Sequence, residues 1–439
     1  MVRVMKDSGV EWIGEIPEEW DVKKIKYILK ERNEKNTPIK TREILSLSAA
    51  NGVVPYSEKT GGGNKAKDDV SLYKIAHPKD IVMNSMNIIA GSVGLSQYHG
   101  CVSPVYYMFY SDDKGSDINY FSNIFQSKEF QRSLIGLGNG ILIKHSEKSD
   151  KLNTIRLRIP SEKMKNTLLP VPPSIEQQKI AAVLDDKTTH IDNIIAKTKE
   201  SIEAFKTYKQ ALITETVTKG LNPDVKMKDS GIEWVGEIPE HWEMNKMKRL
   251  GSVRNGLTYS PNDLVDEEDG TLVLRSGNIQ NGKLSFNDTA YVSRTISDSL
   301  YVKKGDILIC SRNGSRSLIG KNAIIDTDMK ASFGAFMMIF RTAEPSKYIY
   351  YILNSEVFNF YLGTFLTATI NQLTKNNFDN MDVVFCTDPE EQQQIVDFLD
   401  EKTSHIDSLI ANKEKMVQEL EAYKKAMIYE YVTGKKEVE

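Results

Sequence analysis

The chain has 439 residues, enough for two or three domains that each bury a core. Hydrophobic residues make up 40% and charged residues 27%, and the net charge of −3 excludes a uniformly basic polyanion binder but not a local basic surface. Three scattered cysteines, Cys101, Cys310 and Cys386, argue against a disulfide framework or zinc knuckle, and the lack of a membrane-length apolar run or signal-peptide core points to a soluble cytoplasmic protein.

The first element is a lead-in. Met5–Trp20 reads MKDSGVEWIGEIPEEW, and Met227–Trp242 reads MKDSGIEWVGEIPEHW, 222 residues later with three changes. Such a match points to duplication and to two modules of similar fold. Trp12, Ile13, Ile16 and Trp20 suit an apolar plug, and Pro17 favours an extended or turn path before it. The motif reads as structural.

Short β-rich runs follow, notably Asp80–Tyr110. Asn, Gln and Arg can address base edges, and Lys and Arg can hold phosphates. The candidates for such contacts in the first module are Asn51, Tyr56, Lys65, Asn84, Asn87 and Gln97, each of which has a bland alternative as a solvated loop residue. The loop EKTGGGNKAKDD, Glu58–Asp69, lacks the GxxxxGK[ST] order of a nucleotide-binding loop and reads as a loop near a polyanion. Leu137–Pro160 reads as a loop or short helix and the last strand of the module.

Residues 172–220 then read as one long helix. Ile180, Leu184, Ile191, Ile194, Ile202, Phe205 and Leu212 recur at gaps dominated by three, four and seven, and no proline or glycine interrupts Glu176–Lys219. About forty residues give a rod of about 60 Å. One apolar stripe of that length needs a partner, and the second copy supplies it.

The second module answers the first. Asp306-Ile307 matches Asp80-Ile81, and Gly320 matches Gly94 by pattern. The polar patch differs: SRNGSRS, Ser311–Ser317, places two arginines around a glycine turn. Arg275, Asn278, Arg312, Asn313 and Arg316 are its candidate nucleic-acid contacts. Leu366–Cys386 leads to the second long helix, where Ile395, Leu399, Ile406, Leu409, Leu420, Tyr423 and Met427 repeat the stripe at an offset of 215. His190 and His405 sit at matching positions without a ligand cluster, so a local bond or partner contact is the better reading. Glu176-Gln177 and Glu391-Gln392 repeat at both helix starts, which favours a structural or partner-docking role.

The expected architecture is α+β: two β-rich recognition heads separated by two long helices that form an antiparallel intramolecular coiled coil with pseudo-twofold symmetry, a head at each end of a rod. The expected divisions are 1–171, 172–220, 221–387 and 388–439. No Walker loop, HExxH helix, nucleophile elbow or Asn-Pro-Pro-aromatic methyltransferase motif is present, so no catalytic site is expected in this chain. The alternative is a scaffold that holds two protein partners at fixed spacing without reading DNA.

The segments LPVPPSIEQQKIAAVLD, THIDNIIAKTK, GSVGLSQYHGCVSPVYYMF and ASFGAFMMIF, with the duplicated lead-in, resemble the specificity subunit of a type I restriction–modification system. The likeness runs through essentially the whole chain. It implies a subunit with two target recognition domains that read the halves of a bipartite double-stranded DNA target. It also implies spacer helices that set the gap and dock two modification subunits, with restriction subunits joining them. S-adenosylmethionine, ATP and Mg would belong to those partners, with none bound by this chain. The sequence departs from the pattern at Thr387-Asp388, where a Pro-Pro lead is usual before the second Glu-Gln.

Overall fold

Met5–Asp7 pairs antiparallel with Glu15–Pro17, and Met227–Asp229 with Glu237–Pro239 in the same register. Each lead-in is therefore a hairpin. Ile13, Ile16 and Trp20 are fully buried in the first, and Ile238 and Trp242 are buried in the second. The computed structural model describes residues 3–49, 51–59, 65–141, 156–366 and 371–438. The glycine-rich loop and the two segments leading to the long helices fall partly outside these ranges.

The chain forms two units, Met1–Thr198 with Lys415–Glu439, and Lys199–Glu414. In unit 1, Asp21–Lys24 pairs with Leu168–Val171, which ties the head to the start of the long helix. A four-stranded sheet runs in the order Lys30–Arg32, Tyr106–Tyr110, Ile81–Asn84, Val93–Leu95. The short helix Ile118–Gln126 buries Tyr120, Phe121, Ile124 and Phe125 in the unit's main core.

Unit 2 repeats the scheme. Glu243–Lys246 pairs with Asp382–Phe385, and the sheet order is Gly251–Asn255, Met337–Thr342, Ile307–Cys310, Asn322–Ile324. It adds a second four-stranded sheet in which Thr271–Leu274 runs parallel to Ala331–Phe333.

The long helices are Ser174–Lys219 and Pro389–Val432, 46 and 44 residues. At 1.5 Å per residue each is about 65–70 Å long. Each passes from one unit into the other. In unit 1, Lys424 Nζ lies 2.6 Å from Asp192, and in unit 2 Lys209 Nζ lies 2.6 Å from Asp407. The residue numbers of each pair add to 616, so the helices run antiparallel in one register in both units. Ile180, Leu184, Ile191 and Ile195 join Val417, Met427, Ile428 and Val432 in the core that holds Trp20. Ile213 and Val217 join Ile395, Val396 and Leu399 in the core that holds Trp242.

The seam departs from the heptad reading. Tyr423 is 54% exposed, and Ile194, Phe205, Leu212, Leu409 and Leu420 are only half-buried. A 3.6-residue helix drifts off a strict seven-residue repeat, so over forty residues the buried line moves round the cylinder to Ile195, Ile213 and Val217. Among the described residues no helix is long and apolar enough to cross a membrane.

Both helices stop against the lead-in that opens their unit. The Gly434 backbone has φ +72°, and a Cβ there would lie 2.4 Å from Pro17 Cδ and 3.1 Å from Trp20 Cη2. Gly434→Ala is expected to destabilise unit 1 by roughly 2–4 kcal/mol through overpacking and left-handed strain. Gly231→Ala, at φ +74° with open space around it, isolates the backbone cost of about 1 kcal/mol. Urea titrations of the two variants check the difference.

Candidate nucleic-acid interface

Strand register aligns the two heads residue by residue. Asn84 faces Tyr106, and Cys310 faces Met337. One step on, Ser85 Oγ donates to the Val105 carbonyl at 2.9 Å, and Ser311 Oγ donates to the Phe336 carbonyl at 2.9 Å. The Ser85 carbonyl accepts from Ile159 N at 3.0 Å and the Ser311 carbonyl from Leu373 N at 2.8 Å. Ser85 is thus the counterpart of Ser311, Met86 of Arg312, and Val105 of Phe336.

The repeated Asp-Ile has a structural cause. Asp80 accepts from His77 N at 2.8 Å and Asp306 from Lys303 N at 2.7 Å, closing equivalent turns. An arginine neutralises each: Arg32 reaches Asp80 at 2.8 Å and Arg341 reaches Asp306 at 2.6 Å. The glycine match is corrected. Gly94 lies opposite Val82 in the place that Ala323 takes opposite Leu308. Gly320, φ +88°, corresponds instead to Gly91, φ +87°, because each ends its loop in the left-handed region.

In unit 2 three of the five candidates converge. Arg275, Arg312 and Asn313 line a cleft of about 1040 Å³ together with Tyr259, Phe336 and Gln372. Arg275 pairs with Asp288 at 3.0 Å. Asn313 Nδ2 donates to Ser276 Oγ at 3.2 Å, and its Oδ1 accepts from Ser315 N at 2.9 Å. Arg312 is exposed, with Cζ 5.3 Å from the centre of the Phe336 ring. Among the described residues its guanidinium has no carboxylate partner. A planar fork braced on an aromatic face is suited to a bidentate acceptor.

The other two candidates are placed elsewhere. Arg316 is exposed and donates to the Gly363 carbonyl at 3.3 Å. Asn278 is fully buried; its amide donates to the Ser285 and Asp288 carbonyls at 2.9 Å each and its Oδ1 accepts from Arg275 N. Both donors of Asn278 are spent inside the head, so it braces the loop that carries Arg275.

In unit 1 the candidates fall into two groups. Asn84 is half-buried and its Oδ1 accepts from Met86 N at 3.0 Å, while Asn87 is exposed at the start of the turn Ile88–Ala90. The turn bearing exposed Asn51 lies beside them, since a Cβ on Gly91 would sit 3.4 Å from Ala49 Cβ. Gln97 lies toward the other end of the sheet, just past Leu95, which faces Ile81. The Tyr56 hydroxyl accepts from Ala66 N at 3.1 Å and so pins the loop next to exposed Lys65. Gln97 is exposed after the strand Val93–Leu95.

The residues at the helix starts are engaged within the chain. Trp20 Nε1 donates to Glu176 Oε2 at 2.9 Å, and Arg3 lies 2.7 Å from the same carboxylate. Gln177 is 1% exposed, accepts from Asp117 N at 2.8 Å and donates to the Pro172 carbonyl at 2.9 Å. In unit 2, Glu391 Oε2 receives Trp242 Nε1 at 3.0 Å, His241 Nε2 at 2.8 Å and Cys386 Sγ at 3.2 Å. Gln392 is 2% exposed and donates to the Cys386 carbonyl at 2.7 Å. Both glutamines are too buried to present a surface to a partner.

The comparisons with known proteins agree with this duplicated fold. Residues 239–422 match the family profile described as the type I restriction modification DNA specificity domain. The type I restriction enzyme MjaVIII specificity subunit of Methanocaldococcus jannaschii is 25% identical over 436 residues, 96% of this chain and 93% of that one. The chain is similar to type I restriction–modification specificity subunits over nearly its whole length. The EcoKI specificity subunit of Escherichia coli K12 is 27% identical over 206 residues, 46% of this chain and 44% of its own. A solved chain, from work on complex assembly and conformational transition of the type I R-M system, has a TM-score of 0.68 at 12% identity, covering 95% of this chain and 98% of that one. It shares the fold.

Three exposed residues beside the matched serines, Met86, Val105 and Phe336, carry no polar signal that points to them in the sequence alone. They are apolar, and a search for polar base-reading side chains passes over them. Aligning the heads on Asp80-Ile81 and Asp306-Ile307 would have found the first of them.

Burial alone would raise the Glu391 carboxyl, but its bonds from His241, Trp242 and Cys386 outweigh that and hold it below the ordinary 4.5. Burial and that carboxylate push the Cys386 thiol up to about 12. A depressed folded pKa gives stability that is complete above the unfolded value and is lost as the pH falls through the folded one. Glu391→Gln is therefore expected to flatten the acid-side loss of stability below about pH 4.5, measured as melting temperature against pH.

Proposed function

We infer that this chain is the non-catalytic DNA-reading subunit of a type I restriction–modification assembly. The observation that carries the reading is one scaffold built twice with unlike exposed edges, in a chain that matches the DNA specificity domain family. A retained scaffold with an altered edge suits two half-sites of different sequence.

The division of labour proposed is residues 1–171 and 221–387 as target recognition domains and 172–220 and 388–439 as spacer helices. Asn51, Asn84 and Asn87 in the first head, and Arg275, Arg312 and Asn313 in the second, are the favoured base or phosphate contacts; Lys65 and Arg316 are better placed as phosphate contacts. Each well-formed bidentate contact contributes about 1–3 kcal/mol of discrimination against a wrong base. The spacer helices would set which gap between half-sites both heads can span together.

Two modification subunits would dock on this chain. They would supply S-adenosylmethionine and take the target adenine out of the stack for methylation. Restriction subunits would add ATP- and Mg-dependent chemistry. With a net charge of −3, this chain alone is expected to bind DNA weakly, and the partners add the positive surface that closes on the duplex.

Long-read methylome sequencing of cells that express this chain with its modification subunit tests the reading. It is expected to show one asymmetric bipartite motif with a fixed gap. An absence of methylation at any bipartite motif contradicts it.

A further inference from the structure

At the matched serine each head carries a pair of exposed side chains, one next in sequence and one on the facing turn that the serine bonds, and their chemistry differs. In unit 1, Met86 and Val105 are each 38% exposed. In unit 2 the same two positions hold Arg312 and Phe336, and Phe336 is 58% exposed. Single exposed apolar residues are ordinary. Here, however, they recur at one register position in both copies, beside the serine that fixes the loop.

The serine and its bonds are retained between the copies: Oγ to the facing carbonyl, and its own carbonyl to the strand or loop that follows. The outward-facing pair beside that serine has changed. A structural role predicts matching chemistry, as for Asp80 and Asp306. A recognition role predicts the reverse.

We propose that these pairs determine sequence at one base pair in each half-site. This rests on the DNA-reading function above and deepens it. Arg312, braced on Phe336, takes a guanine: its fork matches the O6 and N7 acceptors in the major groove, a bidentate pattern that no other base offers to two donors. The Phe336 ring holds the guanidinium plane and excludes water beside it. Met86 and Val105 have no donors on their side chains. They form an apolar contact for the C5-methyl of a thymine. The two heads thus read chemically opposite edges from one scaffold position.

The test uses the complex of the full chain and its modification subunit, with the methylated motif read by long-read sequencing. Arg312→Gln exchanges a guanine reader for an adenine reader, and Met86→Arg places a fork where the apolar contact stood. The expected result for Arg312→Gln is a change at a single guanine of one half-site, with preference for that guanine reduced roughly ten-fold or more. Met86→Arg is expected to alter a single position of the other half-site in favour of guanine. Phe336→Leu should weaken preference at the Arg312 position without changing its identity.

If the wild-type complex methylates a bipartite motif and both Arg312→Gln and Met86→Arg methylate it unchanged, the pair assignment is overturned and the DNA-reading function stands. A wild-type complex with no bipartite motif overturns both. All three side chains are exposed, so the variants are expected to keep the wild-type melting temperature. A variant that loses it shows that its residue holds the head together, and for that residue it overturns the recognition role.

Discussion

The molecule is organised round an indole N–H aimed at the carboxylate that opens a long helix. Trp20 meets Glu176 and Trp242 meets Glu391, at 2.9 and 3.0 Å. Both tryptophans are fully buried. A charge-assisted bond in that setting is strong, and a carboxylate in the first turn also complements the helix dipole. Antiparallel pairing brings the far end of the other helix to the same place, where Gly434 lies against Trp20 and Gly220 against Trp242. Lead-in, helix start and helix end are three separately repeated motifs that serve one junction.

The junction also explains a paired change between the copies. In unit 1 Arg3 reaches both Glu176 and Glu19. In unit 2 the position of Arg3 is Val225 and that of Glu19 is His241, which itself bonds Glu391. The helix-start carboxylate keeps a partner although its source has moved. The junction is retained in both copies while the exposed loops differ, as expected when one frame presents two different edges. The loop from Ser311 to Gly320 is three residues longer than that from Ser85 to Gly91, yet both begin on the same serine and end in the same left-handed glycine.

Much of this was legible in the sequence because repetition is a signal that needs no propensity scale. The duplicated lead-in and the glycine-free, proline-free stretches announced two similar heads and two long helices. The helix seam was legible in part: Ile180, Leu184, Ile395 and Leu399 are fully buried, while Tyr423 faces solvent because the buried line drifts round a straight helix. Individual site residues were harder to read. Asn278 has the side chain of a base reader and the environment of a loop brace, and only its three bonds distinguish the two. Met86, Val105 and Phe336 carry no polar group, so only strand register brings them to notice.

A double-mutant cycle on Trp242→Phe and Glu391→Ala tests the junction most directly. Unfolding free energies of the wild type, the two single variants and the double variant would be taken from urea titrations. A coupling of about 1–3 kcal/mol is expected, the range for a hydrogen bond to a charged group. A coupling within about 0.3 kcal/mol of zero would show that tryptophan and glutamate act independently, and would contradict a shared junction.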